Sequence, residues 1–236
     1  MIPRIIHCCW FGGGPKPALV RRCLASWKKF APGFEIREWT VPMLRAEFGA
    51  LPPFAEAALA SRKWAFASDW ARFAVVARFG GVYLDTDVEL VKPIDGLVER
   101  GEAFFALNDD ARGWVDPGVG FAAPSGEPSV AEMARRYETM VFDPACHQSQ
   151  VCPVVANAVL ADFRRAGRPV PRLLPARYFD PKGGCAGEVK LTDDTYAIHH
   201  YAASWFNWRQ RLVYKVLPRL GLDVGPLFRW LRGNRR

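Results

Sequence analysis

The sequence predicts an α/β fold, with a mixed central sheet that carries helices on both faces. Short apolar runs rich in β-branched and aromatic residues alternate with longer segments of helical periodicity, without internal repeats or low complexity. Half of the 236 residues are hydrophobic and 24% are charged, as in a protein with a substantial buried core. We therefore expect one domain at residues 1–205 and an appended tail at 206–236.

In the first third of the chain, strands and helices alternate. Residues 2–10 are mostly apolar, which favours a buried strand, and the FGGGPKP run that follows indicates a loop. Leu19, Cys23, Trp27 and Phe30 recur at helical spacing. These patterns predict a strand at 2–10, a loop at 11–17, a helix at 18–30, a strand at 34–39 and one long helical region at 53–79.

The alternation continues to residue 201. Gly80 and Gly81 close the long helical region in the manner of a C-cap, and the VYLDTD run that follows them predicts a strand. Further apolar runs and helical periodicities predict strands at 82–87, 103–107, 119–123 and 195–201, and helices at 127–142 and 151–166.

Two carboxylates finish the strand at 82–87, in the run GGVYLDTD. Strand alternation would place the side chains of Asp85 and Asp87 on one face and that of Thr86 on the other. Two like charges at this spacing repel unless a positive group lies between them, and a divalent cation is the usual one. The alternative is a strand end at which both aspartates are solvated turn residues.

A charged pair lies inside the helical region that precedes this strand. Asp69 and Arg72 are three residues apart and therefore share a helix face. An exposed ion pair would contribute little to stability. The surrounding run WAFASDWARFAVVARF is too apolar for a solvated face, and a buried pair of charges needs a partner or a task. The pattern therefore favours a functional role.

The net charge of +8 is concentrated at one end of the chain. Residues 205–236 hold eight basic residues and one acidic residue, so the body is almost neutral. This distribution argues against a nucleic-acid groove that runs over the whole domain.

The basic tail also contains an apolar stripe, formed by Trp208, Leu212 and Val216, which suits a helix in a membrane interface beside anionic lipid. The alternative is an amphipathic helix packed on the domain, followed by a disordered basic end.

The cysteines and the N-terminal residues indicate a compartment. The six cysteines form no CxxC pair and no even framework of spacings, which favours free thiols in a reducing environment. The opening run MIPRIIHCCW lacks the long apolar stretch of a signal peptide, and no apolar segment is long enough to span a bilayer. We expect a cytoplasmic protein, or one that is peripheral on the inner face of the membrane.

Three runs, in chain order IPRIIHCCWFGG, SDWARFAVVARFGGVYLDTDVELVKPI and AIHHYAASW, closely resemble glycosyltransferase family 32. These DXD-containing sugar transferases include capsular-polysaccharide and mannosyl transferases, and they are related to the large glucosylating toxins. The resemblance covers about residues 2–205. It implies a GT-A type fold, a nucleotide-sugar donor with a UDP-sugar favoured, Mn²⁺ or Mg²⁺ as cofactor, and a retaining transfer to a glycan or lipid-linked acceptor in cell-surface polysaccharide synthesis.

The resemblance also implies roles for the residues of the central run. Asp85 and Asp87 would be the catalytic pair, with Asp87 as the direct metal ligand and Asp85 in contact with the ribose and the donor sugar. Asp69 and Arg72 match the positions that hold hydroxyls of the donor sugar.

The outer two runs supply the remaining donor-side candidates. Trp10 matches an aromatic residue near the nucleotide base, and the alternative is a core tryptophan. Strand alternation puts His199 and His200 on opposite faces, so we expect one of them at the cleft. His199 matches the recurring histidine of the family, which implies a third ligand to the metal or diphosphate. Ser204 and Trp205 match a closing pair that contacts the metal and phosphate.

Two other functions remain open. One is a non-catalytic protein on the same fold that binds a nucleotide sugar or a partner. The other is an aspartyl-phosphate phosphatase, whose strand also ends in DxD. In those enzymes the motif continues with Gly-Thr or similar, whereas Val88 and Glu89 follow it in this sequence.

The acidic loop at 108–118 offers acceptor-side candidates, and the alternative is that its acidic residues face solvent. These candidates are Asp109, Asp110 and Asp116.

Overall fold

The computed structural model describes residues 1–143, 147–183 and 188–202 of the chain. Its strands are β1 (Ile5–Cys9), β2 (Glu35–Trp39), β3 (Gly81–Tyr83), β4 (Val88–Leu90), β5 (Phe104–Asp109), β6 (Trp114–Val115), β7 (Phe121–Ala123), β8 (Arg172–Leu174) and β9 (Ala197–His199). Its α-helices are α1 (Ala18–Phe30), α2 (Val41–Phe48), α3 (Pro53–Ala60), α4 (Trp64–Phe79), α5 (Asp95–Val98), α6 (Pro128–Glu138) and α7 (Cys152–Arg165). Short 3₁₀ turns lie at His147–Gln150 and Ala176–Tyr178.

Seven of these strands form one mixed sheet, which confirms the predicted fold class. The order is β2-β1-β3-β7-β5-β6, and β8 lies beside β5. Strands β1, β2 and β3 are parallel to one another, whereas β7 is antiparallel to both of its neighbours. Strands β4 and β9 form a separate antiparallel ribbon. The turn between β3 and β4 therefore connects the large sheet to the ribbon.

Helices cover both faces of the large sheet, as the sequence predicts. In β5, alternate side chains enter two different cores: Phe105 and Leu107 pack with α3, α4, α6 and α7. Phe104 and Ala106 pack on the other side with α1 and α5. Within the part of the chain that the structure covers, no helix is both long enough and apolar enough to cross a bilayer.

The prediction of one helical region at 53–79 was wrong, because the structure has two helices there. Arg62 adopts a left-handed φ of 54° after the end of α3. The Lys63 N–H then donates to the Ala58 carbonyl at 2.8 Å, in the manner of a Schellman motif. Helix α4 begins at Trp64. The break falls in the run SRK, without a glycine or proline, so the hydrophobic periodicity does not predict it.

The prediction that the strand continues through both aspartates was also wrong. Strand β3 ends at Tyr83, and Asp85 and Asp87 lie in the turn that leads to β4. The Val88 N–H donates to the Asp85 carbonyl at 2.9 Å and closes this turn. The two carboxylates still approach each other, but the turn brings them together, not strand alternation.

Candidate functional site

The turn that carries the two aspartates is held at both ends by backbone hydrogen bonds. The Leu84 N–H donates to the His7 carbonyl in β1 at 3.1 Å. The Asp85 N–H donates to the Gly118 carbonyl at 3.3 Å, from the loop before β7. The motif therefore lies where β1, β3 and the loop before β7 meet.

The glycine pair before the motif fixes how α4 leads into β3. Gly80 and Gly81 have φ values of 64° and 109°, which side-chain-bearing residues rarely adopt. A Cβ on Gly80 would lie 2.7 Å from the Ser125 nitrogen, and one on Gly81 would lie 2.7 Å from the Ile5 carbonyl oxygen. The Gly80 N–H donates to the Val76 carbonyl, which confirms the predicted C-cap.

The charged pair on α4 is buried and reaches the motif. Asp69 and Arg72 are 5% and 3% exposed, so an exposed ion pair is ruled out. Arg72 Nη2 lies 3.1 Å from Asp69 Oδ1 and 3.4 Å from Asp85 Oδ1. The Tyr83 hydroxyl donates to Asp85 Oδ1 at 3.1 Å, and the Arg72 guanidinium lies over the Tyr83 ring. We call Asp69, Arg72, Tyr83 and Asp85 the arginine cluster.

Polar groups converge on a space beside Gly118. A Cβ on this glycine would lie 2.6 Å from Asp85 Oδ2, 3.1 Å from Arg72 Nη1 and 3.2 Å from Asp116 Oδ1. Arg72 Nη1 is buried and has no hydrogen-bond partner among the described residues. A buried guanidinium nitrogen without an acceptor is costly, so a polar oxygen from a ligand would satisfy it.

The second aspartate is held by the C-terminal strand. Strand β9 pairs with β4 so that His199 lies opposite Val88, directly after the turn. His199 Nε2 lies 3.4 Å from Asp87 Oδ1, and the Ala202 N–H donates to Asp87 Oδ2 at 2.7 Å. The His200 N–H donates to the Asp87 carbonyl at 3.0 Å. We call Asp87, His199 and Ala202 the histidine cluster.

Asp85, Asp87 and His199 together have the composition of a metal site. Each offers a ligand atom, and these atoms all lie within 4.8 Å of one another. His199 Nδ1 is buried and has no hydrogen-bond partner among the described residues. Two carboxylates and an imidazole are suitable ligands for Mn²⁺, and carboxylates are the side-chain ligands that Mg²⁺ prefers. The residues present therefore fit a divalent cation.

Comparison with known proteins shows a family similarity in the N-terminal half of the chain. Residues 17–104 match the family model "Glycosyltransferase sugar-binding region containing DXD motif". This part of the chain is therefore similar to glycosyltransferase sugar-binding regions. It contains the DXD motif and the pair Asp69 and Arg72, whereas Trp10 and His199 lie outside the match. Among curated proteins, none matches the sequence.

One solved structure supports the GT-A type arrangement of the fold. The structure titled "PaToxG Glycosyltransferase" superposes with a TM-score of 0.50 at 17% identity, over 70% of each chain. A glycosyltransferase involved in the glycosylation of the major capsid of PBCV-1 gives a TM-score of 0.46 at 14% identity, over 86% of this chain and 95% of that one.

The surroundings of the DXD aspartates push their pKa values apart. Burial raises the pKa of Asp85, and the charge of Arg72 opposes this rise only in part. Burial also acts to raise the pKa of Asp87, but His199 and the Ala202 N–H outweigh it and lower the pKa to about 2. Burial acts to lower the pKa of His199, but Asp87 raises it to about 9. A bound cation would replace the proton of His199.

The carboxyl of Asp69 responds to burial as well. Burial raises the pKa of Asp69 to about 7, although Arg72 and the backbone and side chain of Cys152 act in the opposite direction. Cys152 is the first residue of α7, where an N-terminal N–H group can donate to a carboxylate. Asp69 is thus enclosed by α4 and α7.

Trp10 lies at the end of β1, partly exposed and outside both cores, so the alternative of a core tryptophan is wrong. Its indole N–H donates to the Gly14 carbonyl at 3.1 Å and orders the glycine-rich loop. Its contact with a base remains a prediction.

The first residue of α4, Trp64, lies against Gly12 of the same loop. Sequence reasoning missed Trp64 because it placed this residue in the middle of one long helix.

The structure places the side chains of His200 and His7 away from the motif, and it does not describe the predicted pair Ser204 and Trp205. His200 Nε2 lies 2.7 Å from Glu89 Oε2, so His199 alone of the two faces the motif. His7 is fully buried: Nε2–H donates to the Gly80 carbonyl, Nδ1 accepts from the Trp39 indole, and burial lowers its pKa to about 4. Ser204, Trp205 and the basic tail lie outside the described residues.

Proposed function

We propose that the whole chain is a metal-dependent glycosyltransferase that moves a sugar from a nucleotide-diphosphate sugar to a glycan or lipid-linked acceptor. The observation that carries this proposal is the convergence of Asp85, Asp87 and His199 beside the buried pair Asp69 and Arg72. This convergence lies at the DXD motif of the matched sugar-binding region.

Each cluster would have its own task in this reaction. Asp87, His199 and Asp85 would hold Mn²⁺ or Mg²⁺, and such a cation neutralises the charge that develops on a departing diphosphate. Arg72 Nη1 would donate to an oxygen of the donor sugar in the space beside Gly118. Asp69 would orient Arg72 and accept from a sugar hydroxyl.

We further propose a retaining transfer from a UDP-sugar, as the resemblance to family 32 implies. The acceptor hydroxyl oxygen forms a bond to the anomeric carbon, and the bond from that carbon to the phosphate oxygen breaks. The hydroxyl proton passes to the departing diphosphate, which serves as the base. This front-face displacement requires no carboxylate nucleophile from the protein.

The test of the donor site is a thermal-shift panel of UDP- and GDP-sugars, each with and without Mn²⁺. A ligand that binds only the folded state raises the melting temperature by mass action. We expect a shift that requires Mn²⁺ and is confined to the UDP-sugars. No shift with any nucleotide sugar would contradict the proposed site, and a shift without turnover would favour the non-catalytic binder.

A substitution of Asp87 tests its proposed role as a metal ligand. Asp87→Asn removes the ionised carboxylate that pairs with His199, so we expect metal-dependent donor hydrolysis to fall roughly 10²–10³-fold. The control is Asp193→Asn in an exposed loop, which should leave hydrolysis unchanged. Unchanged turnover in Asp87→Asn would remove Asp87 from the metal site.

The basic tail supports a proposal about location. We infer that the protein works in the cytoplasm, at the inner face of the membrane, in cell-surface polysaccharide synthesis, since residues 206–236 carry a net charge of +7. Deletion of 206–236 should reduce binding to anionic liposomes, measured by co-sedimentation. Undiminished binding would show that the tail is not the anchor.

A further inference from the structure

A concave region lies at the hairpin of β5 and β6. It is an open cleft of about 380 Å³, lined by Asn108, Asp109, Arg112 and Trp114. Trp114 is partly exposed and Arg112 is largely exposed. The lining thus combines one aromatic ring with an amide, a carboxylate and a guanidinium.

The walls of the cleft are fixed in place. The Val115 N–H donates to Asn157 Oδ1 at 3.1 Å, and Asn157 Nδ2 donates to the Val115 carbonyl at 2.9 Å, so α7 holds β6. The Arg112 N–H donates to Asp109 Oδ1 at 3.2 Å within the turn, and the Ala176 N–H donates to Asp110 Oδ1 at 2.8 Å. The backbone of the cleft is therefore preformed, and the conformational entropy lost on binding would come from side chains such as the largely exposed Arg112.

One polar atom in the lining lacks a partner. Asn108 Oδ1 is buried and accepts no hydrogen bond from the described residues. The amide nitrogen of Asn108 is already engaged, since it donates to Asp116 Oδ2 at 3.3 Å. A buried carbonyl oxygen in this state would gain from a hydroxyl donor supplied by a ligand.

The cleft is connected to the donor site through a short hydrogen-bonded path. Asp116, the partner of Asn108, accepts from the Gly118 N–H at 2.9 Å through Oδ1. The Gly118 carbonyl in turn accepts from the Asp85 N–H. A molecule in the cleft would therefore lie next to the space that faces Asp85 and Arg72, where the donor sugar is proposed to bind.

We propose that this cleft is the acceptor subsite and that it receives a sugar ring of the acceptor glycan. The proposal rests on the proposed function, because an acceptor is meaningful only beside a donor. Trp114 would pack against the apolar face of the ring. Asp109, Arg112 and Asn108 would bind its hydroxyls, since a carboxylate and a guanidinium can each engage two neighbouring oxygens. Placed there, an acceptor hydroxyl is positioned for transfer.

The test uses the full chain and a panel of methyl glycosides of mannose, galactose, glucose and N-acetylglucosamine. Each is titrated with and without UDP and Mn²⁺ while ¹H–¹⁵N spectra report the indole N–H groups. The Trp114 signal is assigned with Trp114→Phe. We expect a saturable shift of the Trp114 signal with at least one glycoside, while the signal of the partly exposed Trp64 stays in place.

The arginine of the cleft provides the matched variants. Arg112→Gln should weaken the binding of that glycoside about tenfold, the loss expected for one charge-assisted hydrogen bond. Arg164→Gln, an exposed arginine on α7, should bind it as the wild type does. The thermal shift with UDP-sugar and Mn²⁺ should be the same in all three proteins, because the donor site is unchanged.

The outcomes separate this proposal from the previous one. A Trp114 signal that does not shift with any glycoside, with or without UDP and Mn²⁺, would overturn the acceptor subsite. An equal shift of Trp64, or unchanged affinity in Arg112→Gln, would also overturn it. Failure of the nucleotide-sugar thermal shift would contradict the donor site instead, and the glycoside titration without UDP does not depend on that result.

Discussion

The arginine cluster and the histidine cluster hold the two aspartates of one motif in different ways. The arginine cluster draws on residues 69–85, from one helix, the strand that follows it and the turn after that strand. The histidine cluster joins Asp87 to Ala202, which lies 115 residues later in the chain. In the first cluster the positive charge belongs to an arginine, which stays protonated at any ordinary pH. In the second it belongs to a histidine, which releases its proton when it binds a metal.

This difference teaches that the two aspartates of the motif have different kinds of partner. The partners of Asp85 keep their charge, whereas the imidazole that pairs with Asp87 can exchange its proton for a metal ion. Asp85 is bound to groups whose charge and position are set by α4 and β3. Asp87 is bound to groups that arrive only when β9 has paired with β4, and its imidazole partner can serve as a ligand. Substitutions in the two clusters should therefore differ in what they damage.

The largest effect on stability is expected from Arg72→Met. It removes the cation from between the buried carboxyl of Asp69 and the half-buried carboxyl of Asp85, and we expect a loss of about 3–5 kcal/mol in the free energy of unfolding. Urea unfolding followed by circular dichroism measures it. The control is Arg165→Met, whose exposed ion pair with Asp162 should contribute little to the free energy of unfolding. Equal losses in both variants would contradict the structural task of the arginine cluster.

A smaller effect on stability, but a clear one on activity, is expected from Gly118→Ala. The added Cβ would enter the space beside Asp85 Oδ2 and Arg72 Nη1. Because a displacement of about 1 Å can cost roughly 10²-fold in rate, we expect donor hydrolysis to fall by up to that factor. Gly96→Ala is the control, since nothing lies within 4 Å of its Cβ position. Full activity in Gly118→Ala would mean that the donor does not use this space.

The smallest effect is a pH dependence that belongs to the histidine cluster alone. Without metal, Asp87 raises the pKa of His199 from 6.5 to about 9. The pair therefore contributes stability that is complete between pH 3.8 and pH 6.5, is lost as the pH rises through about 9, and is also lost as the pH falls through about 2. In His199→Gln this loss should disappear from the metal-free melting curves. Added Mn²⁺ should stabilise the wild type more at the upper end of this range, where His199 has lost its proton.

An identical pH profile in the two metal-free proteins would contradict this account. Arg72 is a suitable internal comparison, because its guanidinium does not titrate in that range. The arginine cluster should thus show no change between pH 6.5 and 9 beyond the contribution of Asp69.

Asp69, Arg72 and Asp85 of the arginine cluster could be predicted from the sequence because their spacing is local, whereas the part played by Tyr83 was not predicted. Asp69 and Arg72 share a helix face, and the apolar residues around them show that this face is buried. The approach of Asp85 and Asp87 was predicted for the wrong reason, since strand alternation does not extend into the turn. His199 was identified through family resemblance and not through spacing, because its partner is more than one hundred residues away.

Other parts of the site carry no local signal in the sequence. Gly118 matters because it leaves room for three side chains from α4, the DXD turn and its own loop, which only the folded chain brings together. The cleft at β5 and β6 lies in the acidic loop at 108–118. From the sequence alone, the acidic residues of this loop could either contact an acceptor or face solvent. The break between α3 and α4, which places Trp64 at the glycine-rich loop, depends on one left-handed residue.

The amide of Asn157 has a consequence for solubility. Strand β6 stands at one end of the sheet order, a place where free backbone groups can recruit a strand from a neighbouring molecule. The Asn157 side chain occupies both the N–H and the carbonyl of Val115, as a neighbouring strand would. A helix thus closes that position of the sheet against edge-to-edge aggregation with a single side chain.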